Sequence, residues 1–251
     1  MIGKEPTNFM KLLFLLFITL LLTFIFFYPK FEFEEEELTF LGPLSTEETK
    51  NLILDNLEEG DIILNRPQSF SSYYMQNKQQ KLFKNIFFFF SYYNLFDKIF
   101  IRSMGEEGYW HIYIYKGNNT IHSLSLLGVE EGKIDNDFVE NNYLKILKVN
   151  TTKENKIKAI ERSNYYFESQ EIYYSLKNGL IIVFAKSTGA NYIFHLDKQK
   201  LVCSSYIALL YKDISFNLKK DYTYITPTDI ENSDVVDTII ITKKEGVYYE
   251  R

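Results

Sequence analysis

From Leu12 to Tyr28 the chain reads LLFLLFITLLLTFIFFY without a single charge. At 1.5 Å rise per residue such a run reaches across most of a hydrocarbon layer roughly 30 Å thick, so it predicts one transmembrane helix. A cleaved signal peptide is the competing reading, but it needs a shorter apolar core and small residues at a cleavage site. The sequence after Tyr28, PKFEFEEEELTF, offers no small-residue pair, and an uncleaved anchor is expected. Lys4 and Lys11 precede the span, whereas Lys30 is followed by Glu32, Glu34, Glu35, Glu36 and Glu37. By the positive-inside tendency the rest of the chain then lies on the non-cytoplasmic side of a single-pass membrane protein. The expected order is a cytoplasmic tail over 1–11, the anchor over 12–28, an acidic spacer over 29–45 and a globular domain over 46–251.

A chain of 251 residues with such a start has room for one core. The formal charge of -5 and the absence of a Lys/Arg cluster remove the electrostatic footprint of nucleic-acid binding. The single cysteine excludes an internal disulfide and leaves the redox compartment unread. A lone cysteine is ordinarily a small buried apolar residue, and only its position gives it a chemical role.

Ser45 and Glu48 have the spacing of a capping box, and Leu52, Ile53 and Leu57 follow at helical intervals. A helix is expected from Ser45 to a stop at Gly60. The run DIILN, Asp61 to Asn65, reads as a buried strand. The apolar stretch from Leu82 to Ile101 holds Lys84 and Asp97, which leave too few uncharged residues between them to span a bilayer. It reads as one or two helices packed on the core, or as an interfacial lid. The clearest β signal is WHIYIYKGNNTIHSLSL, two alternating runs around Gly117, Asn118 and Asn119, a hairpin. On its first strand Trp110, Ile112 and Ile114 share one face, with His111, Tyr113 and Tyr115 on the other. LKILKV from Leu144 predicts another strand, Lys153 to Phe167 a helix, and DTIIITK a final strand. The stretch GLIIVFA from Gly179 fits either a strand or a helix.

VCSSYIALLYK opens a helix whose first turn holds Cys203. There, unpaired N–H groups and the helix dipole favour the thiolate, and the same amides can serve as an oxyanion hole. An imidazole facing the thiol would take its proton and return it to the leaving group. His111, on a short strand that can pack beside a buried helix, is the candidate. A third polar group must hold its tautomer, and the adjacent hairpin strand offers His122. His195 is a competing base. Three histidines and one cysteine match no compact metal-ligand spacing, and no cofactor or metal is expected. Asp61 is expected to end a turn or cap a backbone N–H.

The order of these parts resembles that of the circularly permuted branch of NlpC-type papain-like cysteine hydrolases, the YiiX-like group related to lecithin retinol acyltransferases. The matching pieces are GDIIL at Gly60 to Leu64, WHIYIYKG around His111, TIHSL around His122, VCSSYIALLY around Cys203 and YITPTDI at Tyr224 to Ile230. The likeness runs from about residue 46 to 240. It implies an α+β fold in which a small antiparallel sheet is packed with helices. By the same resemblance Cys203 is the nucleophile, His111 the base and acid, and His122 the orienting residue. The implied activity is that of an amidase, peptidase, lipase or acyltransferase acting on an amide, ester or thioester of a peptide, lipid or acyl substrate. Two features depart from the group: Tyr113 stands where a small residue is usual, and the insertion between Leu64 and His111 is long. A membrane-tethered binding module of the same fold without turnover is the alternative.

Overall fold

The computed structural model describes residues 38–68, 109, 111–175, 177–179, 181–182, 199–213 and 222–250. The expected anchor, the Leu82 to Ile101 stretch, Trp110 and His195 lie outside them. Among the described residues no helix is long and apolar enough to cross a membrane.

The fold is α+β around one antiparallel sheet of eight strands. These are β1 (Thr39–Gly42), β2 (Ile62–Pro67), β3 (His111–Gly117), β4 (Thr120–Ser125), β5 (Gly128–Lys133), β6 (Asn142–Val149), β9 (Val236–Lys243) and β10 (Gly246–Tyr249). Their order across the sheet is β1-β10-β9-β6-β2-β3-β4-β5. Two short strands, β7 (Tyr173–Tyr174) and β8 (Lys200–Leu201), pair in parallel apart from it. The helices are α1 (Thr46–Asn56), α2 (Asn136–Asn141), α3 (Lys153–Ser169), α4 (Cys203–Leu210) and α5 (Pro227–Glu231).

Strand alternation divides the core in two. One face carries Ile62, Leu64, Ile112, Ile114 and Leu124 against α3 and α4, and this layer includes Cys203 and Tyr206. The other carries Ile63, Tyr115, Ile121, Leu144 and Ile146 against Ile53 of α1 and Val139 of α2.

Local chemistry sets the element ends. The capping box at Ser45 and Glu48 forms, with both reciprocal hydrogen bonds. The helix stops at Asn56 rather than at Gly60, because Leu57 turns extended to bury its side chain. Asp61 then accepts from the amide of Glu58 and closes the following turn. The expected acidic spacer ends earlier than predicted: Thr39–Gly42 is already an edge strand, paired with β10. In the central hairpin Gly117, Asn118 and Asn119 all take positive φ, the conformation that Asn and Gly adopt most readily.

The GDIIL motif has a structural explanation. Gly60 sits at φ +93, and a Cβ there would meet Lys156 Cβ at 2.8 Å and the Tyr211 hydroxyl at 2.9 Å. The Tyr211 hydroxyl donates to the Gly60 carbonyl. Asp61, fully buried, takes the Lys156 ammonium at 2.9 Å and the Val149 amide at 3.1 Å on Oδ1, and the Glu58 amide at 2.9 Å on Oδ2. The expected capping role of Asp61 therefore comes with an ion pair to the middle of the fold. Burial alone would lower the Lys156 pKa, but hydrogen bonds and charge from Asp61 and Glu58 outweigh it and raise it.

Candidate functional site

Cys203 is the first residue of α4, after Val202, which provides no side-chain cap. The opening turn is held from the other side. Ser204 Oγ donates to the Ile225 carbonyl at 2.6 Å and Ser205 Oγ to the Thr223 carbonyl at 3.0 Å. These bonds fasten Thr223 to Ile225, the stretch just before α5, along the start of the helix. With its first-turn amides not spent on a cap, the helix presents them to the sulfur.

The other wall comes from the sheet. β4 pairs with β3 only as far as Ile114, opposite His122. Beyond that point Ile112 of β3 packs in the same buried layer as Cys203. The backbone amides of Ser204, Ile112 and Cys203 itself all act on Cys203 Sγ. They lower its pKa, but burial acts the other way and is stronger, and the thiol is pushed up to about 12. At neutral pH the resting sulfur is therefore protonated, within a cluster of amide dipoles directed at any charge it acquires.

A linkage effect follows. A thiol whose pKa is raised in the folded state contributes stability below its ordinary value of 9.0 and loses it as pH climbs toward 12. Tyr206 and Tyr211, also raised by burial, act in the same direction above pH 10. Between pH 9 and 10 the unfolding free energy is expected to fall by up to about 1.4 kcal/mol per unit. Urea titrations at intervals across that window, with Cys203→Ala alongside, check this; the variant should be flatter.

His111 is the first residue of β3 and one peptide bond from the Ile112 amide that meets the sulfur. Its ring is on the far face of the strand, edge-on to Tyr113 with centroids 4.8 Å apart. Tyr113 in turn meets Phe138 of α2 edge-on at 5.5 Å. The apolar residues Ile112 and Ile114 are the ones that pack against α4, so the strand's parity points His111 away from the helix it was expected to face. Burial pushes its imidazole down to about 4, which leaves it neutral at pH 7, able to accept a proton and unable to form a standing ion pair.

His122 is on the opposite face from His111, and a β-bulge explains why. A regular two-residue hairpin closing at Gly117 and Thr120 would set His122 across from Tyr115. The register instead slips between Tyr115 and Gly117, pairing Tyr115 with Ile121 and Ile114 with His122. One extra residue, Lys116, turns every following side chain to the other face. His122 is thus fully buried on the Cys203 side, with its ring over Phe167.

Both nitrogens of His122 are engaged there. Nδ1 lies 2.8 Å from Ser163 Oγ, itself 2.9 Å from the Tyr206 hydroxyl. Nε2 lies 2.9 Å from Lys116 Nζ and 3.1 Å from Glu131 Oε2. Nε2 thus faces both a donor, the Lys116 ammonium, and an acceptor, the Glu131 carboxylate, while Nδ1 meets a hydroxyl that can take either role. Burial, assisted by the Lys116 charge, lowers the His122 pKa against the pull of Glu131. The orienting role expected of His122 toward His111 is corrected accordingly: its nitrogens serve Ser163, Lys116 and Glu131.

The structure brings Cys203 and His122 onto one face of the sheet and leaves His111 on the other, with Tyr113 and Phe138. Sequence reasoning missed the Ile112 amide, the Ser163 and Tyr206 pair and the Lys156 partner of Asp61. It also missed Asn65, which closes DIILN at the core-facing parity of Ile63; a polar residue at that position was the available signal. Compared with known proteins, the chain matches no family model and no curated protein.

Proposed function

We propose that the chain is a membrane-anchored thiol hydrolase or acyltransferase of the permuted papain-like type, with Cys203 as nucleophile and His111 as general base. The observation that carries this reading is the setting of Cys203: the buried first residue of a helix packed against β3, where the backbone amides of Ser204, Ile112 and Cys203 itself lower the thiol's pKa against burial. Those amides can stabilise a thiolate, or an oxyanion formed beside it. In the reaction the His111 imidazole takes the thiol proton as sulfur bonds to the carbonyl carbon of an amide, ester or thioester. The proton then passes to the leaving group as its bond to carbon breaks. Water, or another nucleophile, releases the acyl group from sulfur. The resting imidazole lies across the strand from the thiol, so the proton transfer requires His111 to leave that face of β3. An anchor at 12–28 would put the domain at a non-cytoplasmic membrane surface, where lipid, peptide and other acyl substrates are within reach.

A second reading, a membrane-tethered binding module without turnover, draws on the burial that keeps the thiol protonated. Intact-mass spectrometry of the full-length protein, incubated with p-nitrophenyl acetate and p-nitrophenyl palmitate, separates the two. The expected result is an acyl adduct mapped to Cys203 and missing from Cys203→Ser. An unmodified Cys203 with both esters would overturn the enzyme reading in favour of the binding module.

A further inference from the structure

His122 is fully buried on β4, between β3 and β5. Two groups of opposite charge reach the same ring nitrogen. Lys116 Nζ lies 2.9 Å and Glu131 Oε2 3.1 Å from Nε2, and the two are 3.2 Å from one another. Nε2 carries either a lone pair or a proton. With a lone pair it accepts from the Lys116 ammonium; with a proton it donates to the Glu131 carboxylate and has nothing to offer a cation. A neutral ring takes the first form when its proton is on Nδ1, where Ser163 Oγ at 2.8 Å can accept it. A charged ring has a proton on both nitrogens, so it keeps Ser163 and Glu131 and excludes Lys116.

The three partners differ in freedom. Ser163 is fully buried and tied to the Tyr206 hydroxyl. The Lys116 side chain is 16% exposed and that of Glu131 43%. Lys116 is also the bulge residue of the hairpin, outside the pairing of Tyr115 and Gly117 with β4, so its side chain can swing into water without breaking the ladder. Among the described residues, Lys116 from β3 and Glu131 from β5 are the charged groups at the ring. The other elements packed on this layer bring uncharged ones: Tyr166 from α3, Cys203 and Tyr206 from α4, and Tyr174 from β7. Burial keeps Cys203 and Tyr206 protonated at neutral pH and below.

We infer that Lys116, His122 and Glu131 form an acid-released latch: the neutral ring holds the Lys116 ammonium on Nε2, and the protonated ring gives it up to solvent and is retained by Glu131. The direction of the switch follows from the setting. Burial and the Lys116 charge favour the neutral ring in the fold, against the pull of Glu131. The latch therefore stabilises the domain above the ordinary histidine value of 6.5 and loses that contribution as pH falls below it. Acid thus loosens the strand on which α3 and α4 rest. The inference does not depend on the chemistry of Cys203, although Ser163 and Tyr206 join the ring to the helix that carries the thiol.

The test is a pH titration by NMR of full-length protein labelled with ¹⁵N-histidine in detergent micelles, with His122 assigned by elimination through His111→Ala and His195→Ala. Lys116→Met is expected to raise the His122 midpoint by about one pH unit, and Glu131→Gln to lower it by about one. Both substituted side chains reach solvent, so neither change opens the core. An unmoved midpoint in either variant overturns the inference. A cluster that is merely structural would lower the stability of the variants and leave the midpoint where it is. The second measurement is made on the wild type and needs no folded variant of the ring. With ¹⁵N-lysine, the Lys116 Nζ resonance, assigned through its absence from Lys116→Met, is expected to move to the position of a free lysine with the same midpoint as His122. A Lys116 Nζ resonance that stays constant while His122 titrates means that the lysine is not released, and overturns the latch.

Discussion

Replacing Asp61 by alanine is expected to destabilise the domain by about 3–5 kcal/mol, the usual cost of removing one partner of a buried ion pair. Asp61 is fully buried and Lys156 nearly so. The carboxylate also takes two backbone amides, from Glu58 and Val149, which the substitution leaves unsatisfied. Glu58 alone would remain against the ammonium, at 3.0 Å but largely exposed, where its attraction is screened. With Asp61 gone, burial dominates and the Lys156 pKa falls. Urea denaturation of wild type and Asp61→Ala measures the loss. Asp61→Ala with Lys156→Met should recover part of it, because no charge is then stranded. A loss below about 1 kcal/mol would mean that the pair does not organise the junction of β2, β6 and α3.

The second large effect is chemical. His111→Ala is expected to slow alkylation of Cys203 by iodoacetamide at pH 7 by about 10²-fold or more, the usual contribution of a positioned general base. The reason lies in the thiol's own setting: with its pKa pushed up to about 12 by burial, it has almost no thiolate of its own at neutral pH. Its reactivity must come from a group that removes the proton during attack. A neutral imidazole, held so by burial, is suited to that. His122→Ala should act chiefly on stability, since its partners are Ser163, Lys116 and Glu131.

Much of the scaffold was legible because it is encoded by neighbours in sequence. Ser45 and Glu48 specify a helix start within four residues, and Gly117, Asn118 and Asn119 specify a hairpin through backbone conformations few other residues adopt. The alternation in HIYIY gave the two faces of β3 correctly, and the placement of Cys203 on the first turn of a helix followed from VCSSYIALLY. Which face meets which helix was a different matter. Ile112 and Ile114 bury more apolar area than a histidine can, so they face α4 and turn His111 to the opposite side, toward Tyr113 and α2. That outcome depends on tertiary packing rather than on period. The bulge at Lys116 was equally hidden, because one unpaired residue leaves the hydrophobic pattern on each side intact while reversing the phase between them.

Long-range partners were the least legible. Lys156 and Asp61 are far apart in the chain, as are Asn65 and Asn142, and neither pair leaves a local mark. What the sequence did carry was a polar residue in each apolar run, Asp61 and Asn65 at the two ends of DIILN and His122 in TIHSL. Each has become the centre of a buried polar group, as the cost of burying unpaired polar atoms requires.

The central claim is that Cys203 acts by passing its proton to His111, and the pH profile of Cys203 alkylation tests it most directly. In the wild type the second-order rate with iodoacetamide is expected to be flat between pH 6 and 8, because the imidazole is already unprotonated there. In His111→Ala it should rise about tenfold per unit, following the thiolate fraction alone. If wild type and variant instead share the same tenfold rise and the same rate at pH 7, Cys203 is an ordinary buried thiol and the mechanism is contradicted.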